Sequence, residues 1–326
     1  MKTYIKNNIS NIISIFILLS PFIDLVTGIN IHNNINITLG VIYRLLVLGI
    51  LFLIVTIIYK KKKLLIPYLI IVIYILLFLL TNDKTYLIKE LQGALRVFYF
   101  PLILVTLFNI KDEFKISNNI LIVTLVEYTL LLFIPNILGL GYNTYSESKV
   151  GHLGFFASAN EIGGILSLLI PILFINIKER IIPKIIFILI YLYVILNIGT
   201  KTPILVFIMT ILTLYLYLIS VWKKEGKIKY IKYSILVIIL VLSTILFILP
   251  KTNFYKNIKI HLNYLHVEKI TDLTKPKIID HFIFSSRLKF KDNKQKLYDK
   301  SSLSRQLFGI GYINGNKEIK DAEMDF

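Results

Sequence analysis

The sequence predicts an all-α polytopic membrane protein with about nine transmembrane helices and a large extracytoplasmic loop segment. Three observations lead there. Hydrophobic side chains make up 56% of the 326 residues and charged ones 17%, a balance too apolar for a soluble domain of this length. Several apolar runs reach about 20 residues, enough for a helix to cross ~30 Å of hydrocarbon. The basic residues fall between those runs rather than inside them.

The first run, 9–27, follows Lys2 and Lys6 as the core of a secretory signal would. It is too long for one and lacks a small-residue cleavage site, so it is read as the first anchor. The remaining runs are 38–59, 64–81, 95–109, 118–138, 152–176, 181–198, 203–221 and 232–250. With the N-terminus inside, the inner segments hold Lys2, Lys6, lysines 60–63, Lys111, Lys115, Lys178, Arg180, Lys184, Lys223, Lys224, Lys227, Lys229 and Lys232. The short outer loops hold only Lys84, Lys89, Lys149 and Lys201, with Arg44 and Arg96 near the outer ends of spans. Cytoplasmic loops retain the excess of positive charge, so this orientation fits. Nine crossings from an inside start divide the chain into a helical bundle, 1–250, and an extracytoplasmic segment, 251–326. No internal repeat or matched pair of interrupted helices suggests an inverted-repeat transporter.

Several chemistries find no support. The chain has no cysteine, hence no disulfide and no thiolate nucleophile or ligand. The formal charge of +18 is accounted for by membrane topology without nucleic acid. No glycine-rich phosphate loop with its lysine occurs, and His261, His266 and His281 lack the spacing and the glutamate of a metalloprotease motif. No metal or cofactor is expected.

The candidate functional residues are cations and carboxylates on the outer side. Only five arginines occur, Arg44, Arg96, Arg180, Arg287 and Arg305, and four lie outside under this topology. Guanidinium grips phosphate in a planar, bidentate way that lysine cannot copy. Arg44 and Arg96 are equally read as side chains snorkelling to the headgroups. Lys201 stands in the otherwise uncharged turn Asn197-Ile198-Gly199-Thr200-Lys201-Thr202-Pro203, either as an ordinary solvated lysine or aimed at an anion between helices. Glu323 and Asp325 close the chain, either as a solvated tail or as a general base for a sugar hydroxyl. Glycines 139, 141, 151, 154, 163 and 164 cluster around the fifth and sixth spans, where small residues let helices approach.

Over about its second half the chain resembles the family of O-antigen ligases and O-antigen polymerases, including teichuronic acid polymerases of Gram-positive bacteria. The resemblance rests on Gly154-Phe155-Phe156-Ala157-Ser158-Ala159-Asn160-Glu161-Ile162-Gly163 at the head of a span and on the Gly199-Thr200-Lys201-Thr202-Pro203 turn. It continues through Ser286-Arg287, Gly309-Ile310-Gly311-Tyr312 and Glu323-Met324-Asp325-Phe326. It implies a GT-C-like membrane glycosyltransferase that polymerises or ligates a glycan on undecaprenyl pyrophosphate at the outer leaflet of a bacterial cell membrane, together with a chain-length regulator as partner. Polymerase is the preferred form, and a lipid-linked oligosaccharide flippase is the alternative.

The resemblance assigns the chemistry to Arg287, Lys201, Asp325 and Glu323, and substrate binding to Arg305, Arg96 and Asn160. Lys201 stands where the family usually has arginine, keeping the charge but losing the fork. Asp325 replaces a histidine of the ligases. Family members continue through further helices, whereas this sequence ends at Phe326 inside the motif, so the resemblance implies either a fragment of a longer protein or a C-terminally truncated one.

Overall fold

The computed structural model describes residues 2–35, 39–81, 87–145, 148–174, 181–226, 247, 249–267, 275–276, 278–279 and 287–309. An apolar run in hydrocarbon must satisfy its backbone internally, and the regular structure among the described residues is helical. The helices are α1 (Lys2–His32), α2 (Leu39–Leu53), α3 (Leu65–Thr81), α4 (Leu87–Phe108), α5 (Asn118–Ile137), α6 (Ala159–Leu173), α7 (Ile181–Ile198), α8 (Lys201–Lys224), α9 (Asn253–Tyr264), α10 (Arg287–Lys300) and α11 (Leu303–Phe308). A π-helical turn, Ile54–Ile58, extends α2.

Eight of the nine expected spans coincide with helices. Among the described residues, six stretches are long and apolar enough to cross a bilayer: Asn8–His32, Leu39–Ile58, Lys62–Leu80, Glu90–Phe108, Asn118–Ile137 and Lys201–Lys224. Ala159–Leu173 and Ile182–Ile198 are apolar but shorter. The expected 232–250 span lies almost wholly outside the described residues, so the count of nine is not reached among them. Apolar side chains cover the outside of these helices; Leu69, Ile70 and Leu168 are 62%, 60% and 78% exposed. A soluble protein does not expose so continuous an apolar surface, whereas lipid covers it.

The 152–176 span starts later than hydropathy suggests. Residues 152–158 are loop, and α6 begins at Ala159 because the Ser158 hydroxyl accepts the Glu161 N–H at 3.4 Å. This S-x-x-E pattern is a helix-start signal, with glutamate in the first turn facing the positive end of the dipole.

The chain divides into two units. One comprises Met1–Ile12, Gly40–Lys115 and Leu265–Phe326. In it α3 pairs with α4 through a Tyr68–Thr106 hydroxyl hydrogen bond of 2.8 Å and an edge contact of Tyr74 with Phe98. The Tyr74 hydroxyl also donates to the Phe308 carbonyl at 3.0 Å, which seats α11 on α3.

The other unit comprises Ile13–Leu39 and Ile116–Tyr264. Here α6 is central, packed on α5 and α8. Leu125, Leu166, Ile170, Tyr191 and Ile195 form a solvent-free core. On one face of this unit the Tyr128 hydroxyl donates to Asp24 Oδ2 at 2.6 Å, tying α5 to α1.

Candidate functional site

At one end of the second unit three segments meet: the loop 139–158, the α7–α8 turn and the start of α9. The turn forms because α7 stops at Ile198 and Gly199 takes φ +80°, the left-handed conformation that glycine tolerates. Thr200 is the N-cap of α8, and Lys201 is its first helical residue. Pro203 sits in the first turn, where its missing N–H leaves no hydrogen bond unmade. It packs against Gly163 of α6, at 3.2 Å from the position of a Cβ there.

This helix start is electrostatically unusual. A helix N-terminus carries about half a positive charge, and here a half-buried lysine is added to it. The Thr200 side chain does not cap the helix. Its Oγ1 is buried, with the residue 7% exposed, and has no hydrogen-bond partner. Uncapped N–H groups, a lysine and an unpartnered hydroxyl together make a place where an anion is stabilised.

α9 braces the turn. Asn253 Nδ2 donates to Asn197 Oδ1 at 3.0 Å, and the buried Asn257 Nδ2 donates to the Gly199 carbonyl at 3.2 Å. Asn257 also hydrogen-bonds Tyr145; burial raises the Tyr145 pKa, and this bond draws it back. His261 meets the Tyr145 ring edge-on, 6.3 Å between centroids.

The loop 139–158 is held from several sides. The Thr144 hydroxyl donates to the Ile198 carbonyl at 2.8 Å, and the His152 N–H donates to the Asn197 carbonyl at 2.9 Å. His152 Nε2 lies 2.7 Å from the Leu140 carbonyl oxygen, and the Gly154 N–H meets His152 Nδ1 at 3.2 Å. Burial pushes the His152 pKa below the usual histidine value, and the Leu140 carbonyl partly offsets this. The Phe155 carbonyl rests on α1 at Gly28, where a Cβ would fall on that oxygen.

Of the residues expected from sequence, Lys201 and Asn160 belong to this unit. Asn160 is exposed on the first turn of α6. Arg96 is exposed on α4, Arg305 lies half-buried on α11, and Arg287 opens α10; all three belong to the other unit. Glu323 and Asp325 lie outside the described residues. Asn257, Thr200 and His152 were not singled out by sequence. The signals that point to them are faint: polar residues at the ends of apolar runs, and a histidine set between Gly151 and Gly154.

The family profile for O-antigen ligase like membrane proteins matches residues 6–277. The chain belongs to this family. As an O-antigen ligase-like membrane protein it is a multi-pass protein of a family that ligates or polymerises glycans in the membrane, with lipid-linked glycan as substrate class. The match reaches well into the N-terminal half, beyond the motifs that carry the resemblance. It includes Arg96, Asn160 and Lys201 and ends before Arg287. No curated protein and no solved structure matches the chain.

Proposed function

We propose that this chain polymerises a glycan carried on undecaprenyl pyrophosphate at the outer leaflet of a bacterial cell membrane. The observation that carries this reading is the anion-favouring start of α8 within a chain of the O-antigen ligase-like family. The loop 139–158, the α7–α8 turn and α9 share one end of their unit, and the distribution of lysines supports an outward orientation for that end.

In the reaction an acceptor hydroxyl attacks the anomeric carbon of the lipid-linked chain. The bond from that carbon to the pyrophosphate oxygen breaks, and a glycosidic bond forms. The pyrophosphate departs with added negative charge, which Lys201 and the α8 N-terminus stabilise; the family resemblance adds a catalytic role for Arg287 and substrate binding by Arg305 and Arg96. The acceptor proton passes to a carboxylate, the role we assign to Asp325 or Glu323. Asn160 contributes a hydrogen bond to the sugar, and a chain-length regulator sets the extent of growth. The protein's own cations do the electrophilic work, so the scheme calls for no metal or cofactor.

Reconstitution in liposomes with a lipid pyrophosphate-linked repeat unit tests the proposal. Chain growth lost on Lys201→Ala supports it. Translocation of the lipid-linked unit without any glycosidic bond formation refutes it in favour of a flippase.

A further inference from the structure

His152 lies outside the residues that the resemblance assigns, yet it touches three backbone groups at the candidate site. The partners fix its chemistry. The Leu140 carbonyl oxygen only accepts, so Nε2 at 2.7 Å must carry a hydrogen. The Gly154 N–H only donates, so Nδ1 at 3.2 Å must offer its lone pair. The ring that satisfies both is neutral with its proton on Nε2. A second proton would go to Nδ1 and set two donors against each other at Gly154. That glycine opens the Gly154–Gly163 stretch, and its carbonyl accepts the Tyr142 N–H at 2.6 Å. The backbone N–H of His152 meanwhile holds the Asn197 carbonyl, four residues before Lys201.

We propose that His152 is a positioning residue that works as a proton-operated latch: neutral, its ring ties Leu140 to Gly154 and so shapes the loop 139–158, whose bonds to the Asn197 and Ile198 carbonyls carry that shape to the α7–α8 turn and Lys201, and protonation opens the ring's bond to Gly154. This rests on the proposed function for its catalytic consequence and on geometry for the latch itself. The direction of the His152 pKa agrees, since burial favours the neutral ring. The titratable groups on the surrounding elements are Tyr142, Tyr145 and Lys149 of the same loop, Glu161 on α6, Tyr193 on α7, Lys201 on α8 and His261 on α9. His32 of α1 stacks on Tyr142, 3.5 Å between centroids. Burial and the Leu140 carbonyl set the direction of the His152 shift, and comparison with His152→Gln separates its part from that of the other groups.

Glutamine provides the decisive variant. Its side-chain oxygen accepts where Nδ1 does, its amide nitrogen donates where Nε2 does, and it does not titrate. The chain has five histidines, so in ¹⁵N-histidine-labelled full-length protein the signals missing from His152→Gln identify His152. The expected spectrum at about pH 7 is the neutral Nε2–H form, protonating at lower pH than a free histidine does.

With no native cysteine, spin labels at the exposed positions Lys149→Cys and Lys256→Cys report the clasp. Their distance distribution should broaden between about pH 7.5 and pH 5 in the otherwise native chain and stay unchanged with His152→Gln. Chain growth should lose about tenfold per pH unit below the His152 pKa, and less than about twofold in His152→Gln. A His152 ring protonated on Nδ1 at pH 7, or equal broadening in both proteins, overturns the latch. The histidine spectrum and the label distances do not use the reaction, so a latch without chain growth faults the function, and chain growth without a latch faults only the role of His152.

Discussion

Replacing Asn257 with leucine should detach α9 from the α7–α8 turn. The side chain is 4% exposed, donates to the Gly199 carbonyl at 3.2 Å, and bonds the Tyr145 hydroxyl. Leucine has nearly the same volume, so packing changes little; what changes is that two polar groups lose a partner. Each buried group left unsatisfied costs about 1–3 kcal/mol. Tyr145 regains part of this by turning to water, which leaves a net loss of about 2–4 kcal/mol. For a unit of this size each kcal/mol moves the melting temperature by roughly 2–4 °C, so a drop of roughly 4–16 °C is expected. Trp222, the single tryptophan, sits on α8 in the same unit and provides the fluorescence signal in detergent. Hydrogen exchange should rise in 253–264 and the α7–α8 turn while α3 and α4 stay unchanged. An unchanged melting temperature with unchanged exchange in α9 would refute the bracing role.

Gly28→Ala should destabilise the protein, because its Cβ meets the Phe155 backbone. Overpacking against backbone costs about 3 kcal/mol, and the gain in helix propensity returns about 1 kcal/mol, so a net loss of about 2 kcal/mol is expected in thermal unfolding. Tyr128→Phe removes the 2.6 Å donor to Asp24 and should cost about 1–3 kcal/mol in the same assay. The folded pKa of His152 is depressed, so as pH falls below about 6.5 the unfolded ring binds a proton first. Stability should therefore be full above that pH and decline as pH falls through the folded pKa, measured as melting temperature against pH; His152→Gln should flatten that decline.

The spans were legible because a bilayer leaves little choice: runs of about 20 apolar residues must become helices. Eight of the nine expected runs do so, and Lys201 stands at a turn between two of them. The start of α6 was misplaced because Leu153, Phe155 and Phe156 are as apolar as the span that follows. What holds them in a loop is the Ser158 cap and the His152 bonds to Leu140 and Gly154, which hydropathy does not register. The bracing by Asn253 and Asn257 was equally hidden, since those residues bond backbone and side chains more than 50 positions away. Counting nine spans from an inside start put Lys201 and the segment after Pro250 on one side as an expectation, and the Asn257–Gly199 bond ties the start of that segment to the α7–α8 turn. Arginine scarcity drew attention to Arg96, Arg287 and Arg305, which fall in the other unit, whereas the polar groups around Lys201 carry no charge and drew none.

In the proposed function the pyrophosphate of the lipid carrier sits at the start of α8 beside Lys201. Binding of undecaprenyl pyrophosphate to the detergent-solubilised chain, measured by native mass spectrometry across Lys201→Ala and Lys201→Arg, tests it most directly. Alanine should weaken binding about tenfold or more, the scale of one charge-assisted hydrogen bond, and arginine should hold or tighten it through its bidentate fork. Equal affinity for all three proteins would contradict it.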